Sequence, residues 1–148
     1  MLARCLADPA ARCLSLFQRF LDMFTAVPGS DSDSRVLKES LLLAASYHAT
    51  RKDMPLLLQA VEATGQINHL GYVVDRIRQL RFTPAAPLVL RAAEAFEGTN
   101  VYVKLLGTLG YVEALPALSA LAEGARGKRL RVIEEVMIKL EDVQVRRG

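Results

Sequence analysis

The side chains best suited to chemistry in this chain are few and far apart. His48 and His69 are the only histidines, and Cys5 and Cys13 the only cysteines. No pair of them has the spacing of a metal site. The cysteines lie eight residues apart, which on a helix puts them on one face but about 12 Å apart, beyond the reach of a disulfide. They read as small buried residues of a protein kept in a reducing cytoplasm. His48 falls on an apolar helical face, where a hydrogen-bonded structural role is expected. His69 follows Asn68 at a helix start and suits a capping or surface role. Asp31-Ser32-Asp33 hints at calcium but lacks the downstream glycine and glutamate of a loop site. Glu134–Glu135 and Glu141–Asp142 are neighbours on a helix, so each pair points apart. Gly107-Thr108-Leu109-Gly110 has no Lys-Ser/Thr after it and is no phosphate loop; small residues there suit close helix approach. No catalytic constellation emerges, so the expectation is a protein that is not an enzyme and holds no metal or cofactor.

The elements that would position any site are set by a repeat. Pro55–Gly65 (PLLLQAVEATG), Pro87–Gly98 (PLVLRAAEAFEG) and Pro116–Gly124 (PALSALAEG) echo one another, their prolines 32 and 29 residues apart. A period near thirty marks stacked helical hairpins. Each copy predicts a helix A with proline in its first turn, where the missing N–H costs nothing, and a glycine stop in left-handed form. A helix B follows. Leu70, Val73, Val74, Ile77 and Leu80 stripe the first B helix. Tyr102, Leu105, Leu106 and Leu109 stripe the second. Leu130, Ile133, Val136, Met137 and Leu140 stripe the third. Thr83–Pro84 predicts an N-cap hydroxyl with proline at the first helical position. Pro87 follows Pro84 so closely that the helix either starts late or bends. No period-two strand is found.

Upstream, Pro9–Thr25 is amphipathic, and residues 1–27 read as an N-terminal capping helix. Val27–Ser34 (VPGSDSDS) crowds turn-forming residues, so a loop is expected over 28–34. A helix follows over 35–52. Residues 53–142 hold the three hairpins and 143–148 a tail, all within one domain, 1–148. Nothing near the N-terminus resembles a secretory signal, and no uncharged stretch reaches the roughly 20 residues of a membrane span.

Tyr111–Glu141 (YVEALPALSALAEGARGKRLRVIEEVMIKLE), with its A-L-P-A-L-x-A-L helix, glycine stop and basic B-helix start, resembles the short bacterial HEAT-type repeats. The likeness extends over Asp53–Asp142 and only loosely over the first fifty residues. Gly124–Lys128 lacks the acidic residue usual before the B helix. The resemblance implies an all-α fold, a right-handed, armadillo-like α-solenoid of about four antiparallel helix pairs, and a scaffold or protein-binding role.

Charge sorts by helix type. A segments 53–65, 83–98 and 113–124 carry −2, −1 and −2; B segments 66–82, 99–112 and 125–148 carry +2, +1 and +3. The family places B helices on the concave side. The expected partner-binding residues are therefore Arg76, Arg78, Lys104, Lys128, Arg129 and Arg131, facing an acidic or amphipathic protein. Lys128, Arg129 and Arg131 stand where a helix dipole disfavours cations. Either they meet an anionic surface, or Arg131, Glu135 and Lys139 pair at i, i+4. Tyr72, Tyr102 and Tyr111 recur near B helices, as core with a hydroxyl at the rim or as part of a partner groove. The Leu14–Phe24 stretch makes self-association or membrane-surface contact a further option.

The sequence leaves two other classes. Some HEAT-like proteins hold duplex DNA on a basic concave face, but a net charge of +3 and the absence of Trp argue against nucleic acid. Other HEAT-like repeats belong to phycobilin lyases, an accessory role for which no residues stand out.

Overall fold

The computed structural model describes residues 15–29 and 31–148. Cys5, Cys13 and the first part of the Pro9–Thr25 segment lie outside the described residues. Among those described, every regular element is a helix: eight α-helices and three short 3-10 helices, with no strand. No helix among them is long and apolar enough to cross a membrane. The chain, read as one domain over 1–148, divides between Ala60 and Val61 into two compact units.

In the first unit, α1 (Leu16–Ala26) and α2 (Ser32–His48) pack together as a hairpin. Phe17, Leu21 and Phe24 from α1 and Leu41, Leu42 and Ala45 from α2 are buried. The loop expected over 28–34 is shorter, because α2 begins at Ser32. Asp31 is its N-cap, accepting from the Ser34 amide at 2.9 Å and the Ser34 hydroxyl at 2.7 Å. Asp and Ser favour turns and helix caps for the same reason: a short polar side chain satisfies a nearby amide. These bonds hold the Asp31 carboxyl below its usual range. The helix expected over 35–52 accordingly ends early, at His48. His48 is exposed and not a core residue; its ring stacks on Phe20 with centroids 5.7 Å apart and meets Tyr47 edge-on at 5.2 Å. Asp53 then accepts from both the amide and the hydroxyl of Thr50, at 2.8 and 2.9 Å, and so fixes the turn into α3 (Met54–Ala63).

The second unit begins inside α3. It continues through a 3-10 helix (Ile67–Tyr72) into α4 (Val74–Leu80). The single B helix expected over this stretch is thus split. Thr64 explains the break. Its hydroxyl donates to the Val61 carbonyl at 2.7 Å, which leaves its lone pairs for the Gln66 amide and for His69 Nδ1 at 3.1 Å. The His69 proton toward Thr64 therefore sits on Nδ1. This anchor holds the chain in i→i+3 turns, with His69 bonded to Gln66 and Val73 to Leu70. His69 is 4% exposed, a buried joint and not a surface residue.

Next come a 3-10 turn (Thr83–Ala85), α5 (Ala86–Ala95), α6 (Val101–Leu109), a second 3-10 turn (Val112–Ala114), α7 (Leu115–Gly124) and α8 (Gly127–Arg147). Pro55, Pro87 and Pro116 are each the second residue of their helix. The crowding of Pro84 and Pro87 is resolved by a late start: Pro84 lies in the 3-10 turn and α5 begins at Ala86. Thr83 is not an N-cap; it opens the 3-10 turn, after Phe82, which makes no side-chain cap. α5 packs on α6 and α7 on α8, while α4 and α8 both lie against α6. Gly107 of α6 faces Val136 and Lys139 of α8, and Gly110 faces Val143 and Arg147, so the two helices run side by side in the same direction. Leu70, Ile77, Val89, Leu106, Leu118, Ile133 and Leu140 form the buried interior.

The turns entering α5 and α7 share one backbone path, 29 residues apart. Phe82 (φ −78°, ψ 84°) matches Tyr111 (−81°, 83°), and Ala85 (−77°, −12°) matches Ala114 (−76°, −14°). Before each stands a left-handed residue, Arg81 (46°, 51°) and Gly110 (65°, 34°). The amide after it closes the helix onto a carbonyl five residues back, Phe82 to Ile77 and Tyr111 to Leu106. Of the glycines expected to stop helices in this way, Gly65 is left-handed and Gly98 and Gly124 are not. α5 and α7 are instead left through Phe96 (φ −118°, ψ 88°) and the extended Ala125, both at negative φ, which needs no glycine. Arginine in a left-handed site costs about 1 kcal/mol that glycine avoids, though glycine gives back part of this in the unfolded chain. Arg81→Gly is therefore expected to raise stability by about 0.5 kcal/mol, and Gly110→Ala to lower it by about 1 kcal/mol, in urea unfolding.

Candidate functional site

The six expected partner-binding cations lie on α4, α6 and the first turns of α8, and the structure separates them by what they touch. Arg78 pairs with Asp75 at 2.6 Å. Arg76 donates to the Gln79 side chain at 3.0 Å. Arg129 is tied into the fold: its guanidinium donates to the Thr99 carbonyl at 2.8 Å and the Ala93 carbonyl at 3.2 Å. Ala93 belongs to the last turn of α5, whose carbonyls have no helical partner and carry the negative end of the dipole. A planar fork of donors reaches this oxygen and the Thr99 carbonyl, in the connection before α6, at once. The cation at an unfavourable helix start is thus at a favourable helix end, a resolution that sequence spacing could not show. Lys104, Lys128 and Arg131 remain exposed, with no ion pair among the described residues. The pairing expected between Arg131, Glu135 and Lys139 is not formed among them.

A concave feature lies around the α5–α6 connection. An open groove of about 480 Å³ is lined by Asn68, Phe96, Glu97, Thr99 and Tyr102, among others. A neighbouring hollow of about 330 Å³ shares Thr99 and Tyr102 and reaches Gly71 and Asp75. The Phe96 and Tyr102 rings stand 6.0 Å apart at 34°. Tyr102 is 6% exposed. A Cβ on Gly71 would lie 3.4 Å from the Tyr102 hydroxyl, so a small residue there leaves room for the phenol. The exit from α5 at Phe96 sets its ring against Tyr102, the second residue of α6. Of these groups the sequence pointed to Tyr102 alone. Asn68 and Glu97 carry no signal in the sequence, because only the hairpin brings positions 68 and 97 together.

Burial pushes the Tyr102 phenol above its usual pKa. The folded state thus keeps this proton at pH values where the unfolded chain releases it. The associated stability is complete below about pH 10, where the free phenol starts to ionise, and falls as pH climbs toward the folded pKa. Tyr102→Phe lacks this linkage. The stability of wild type relative to Tyr102→Phe is expected to fall from pH 9 to pH 11 in urea titrations; an unchanged difference refutes the buried phenol.

Among the described residues no group of three His, Cys, Asp or Glu could hold a metal ion. Comparison of the chain with protein-family models, with characterised proteins and with solved structures gives no match in any of the three.

Proposed function

We propose that this chain is a non-catalytic, HEAT-like interaction module whose B-type helices present cations to an acidic or amphipathic partner protein. In this reading α5–α6 and α7–α8 are successive hairpins of a right-handed α-solenoid. The shared turn geometry 29 residues apart and the side-by-side packing of α6 on α8 support it. The observation that carries the binding role is the trio Lys104, Lys128 and Arg131. These side chains are solvent-exposed and without an ion pair among the described residues, whereas Arg129 is bonded to two carbonyls of the fold and Arg76 and Arg78 contact surface neighbours on their own helix.

The test is affinity capture from the native cell with wild type and with the triple variant Lys104→Glu, Lys128→Glu, Arg131→Glu. Rim charges act on encounter and specificity, and reversing all three is expected to weaken a genuine partner by about tenfold or more. Arg78→Gln serves as a control that should leave capture unchanged. Recovery of the same partners at the same level by wild type and the triple variant would end the proposal.

A further inference from the structure

Ten large apolar side chains stand exposed among the described residues, and six of them belong to the α1–α2 hairpin; the other four are scattered over α3, α6 and α8. On α1, Leu16, Phe20 and Met23 follow one another at intervals of four and three. On α2, Val36, Leu43 and Tyr47 follow at seven and four. Such spacings place each set in one stripe along its helix. The stripes are distinct from the hairpin's interior, where Phe17, Leu21, Phe24, Leu41, Leu42 and Ala45 are buried. Ring contacts join the stripes across the two helices: Phe20 stacks on His48 at 5.7 Å, and Tyr47 meets His48 edge-on at 5.2 Å. The hairpin therefore has an apolar side open to water. Leu16, Met23, Val36, Leu37, Leu43 and Tyr47 are 48–77% exposed. That leaves about 600 Å² of apolar surface, the upper end of what a monomer shows in one patch.

We infer that this face pairs with the same face of a second copy of the chain. Charge selects that occupant. Arg19 stands three residues after Leu16 and four before Met23; Glu39 stands three after Val36 and four before Leu43. Neither has an ion pair among the described residues. Both lie on outer edges of the hairpin. Arg19 flanks the α1 stripe on the side away from Phe20, and Glu39, nine residues before His48, is half a turn around α2 from it. A face with a cation on one edge and an anion on the other is complementary to itself under a two-fold rotation. With the axis parallel to the helices, α1 lies on the partner's α2, apolar stripe meets apolar stripe, and Arg19 meets Glu39 of the partner subunit at both edges. Two copies bury about 1,200 Å² in total, the lower edge of specific interfaces, which fits a reversible dimer. A lipid surface fits less well: residues 15–60 carry five basic and five acidic side chains, so the hairpin offers anionic headgroups no net positive charge. The face shares no residue with the Lys104, Lys128 and Arg131 surface, so the two proposals fail independently.

The test is sedimentation velocity of the full chain. Monomer should give way to dimer with a Kd of about 1–100 μM. Leu43→Glu puts a carboxylate in the middle of the apolar stripe, at an exposed position that the monomer tolerates. It should weaken the dimer at least about a hundredfold, with the helical circular dichroism unchanged. Arg19→Glu and Glu39→Arg each set like charges together at both edges and should each weaken the dimer about tenfold. The double variant, and an equimolar mixture of the two single variants, should restore it, which a folding defect in either would not do. The triple variant at Lys104, Lys128 and Arg131 should dimerise like wild type. The proposal is overturned by a chain that stays monomeric up to about 1 mM, by a dimer that Leu43→Glu leaves intact, or by a mixture of the single variants no tighter than either alone. A monomer that co-sediments with phosphatidylserine–phosphatidylcholine vesicles would overturn it in favour of a lipid surface.

Discussion

Leu118→Ala is expected to cost about 3–4 kcal/mol and to loosen α7 as a unit. Leu118 is the one buried residue of that helix and is 0% exposed. Leu115 and Leu121 are half-buried, and Glu113, Pro116, Ser119, Ala120 and Glu123 face water. The hold of α7 on α8 therefore concentrates on a single side chain, helped by Ala114 in the turn before it. Truncation removes its transfer free energy and leaves a cavity that the short helix fills poorly. Urea unfolding gives the loss, and amide exchange across Leu115–Gly124 should accelerate more than across α6. Leu56→Ala, at a position 48% exposed, should change stability little by comparison. A Leu118→Ala cost below about 1 kcal/mol would mean that α7 is held by contacts other than this one.

Gly107→Leu is expected to destabilise by about 2–3 kcal/mol, while Gly107→Ala stays near neutral. A Cβ at position 107 would stand 3.3 and 3.4 Å from the Val136 methyls and 3.7 Å from Lys139 Cδ. Those atoms are side-chain ends, so a methyl asks for a shift of a few tenths of an ångström. Alanine also gains up to about 1 kcal/mol of helix propensity over glycine, which offsets the crowding. Leucine has no such room, because Val136 is buried between the helices and cannot turn away. The variant must force α6 from α8 or leave rotamer minima. Thermal unfolding of the three proteins side by side tests this ordering. Gly107→Leu at wild-type stability would show that α6 and α8 do not approach each other closely here.

These two sites mark how far the sequence reaches. The small residues at 107–110 were legible as a close helix approach, because glycine in a helical stripe has a packing reason or none. The special weight of Leu118 was not legible, since Leu115, Leu118 and Leu121 look alike along the chain. Only the angle at which α7 meets α8 chooses among them. The hairpin order, the prolines in first turns and the apolar stripes of α6 and α8 followed from period and propensity, which act over a few residues. Glycine stops misled at Gly98 and Gly124 because a helix can also end through residues at negative φ, here Phe96 and Ala125, whose amides still reach the last turn.

The same division holds for the candidate surfaces. Composition and spacing alone determined the all-helical character of the described residues and the sorting of net charge by helix, since both depend on residue type and local period. Tertiary packing decided that Arg129 fastens α8 to the α5–α6 connection and that His69 is buried against Thr64. It also decided that Asn68, Phe96, Glu97 and Tyr102 share one groove. Such outcomes turn on which carbonyls and rings come within a few ångströms across some thirty residues of chain, and no one-dimensional pattern encodes that distance.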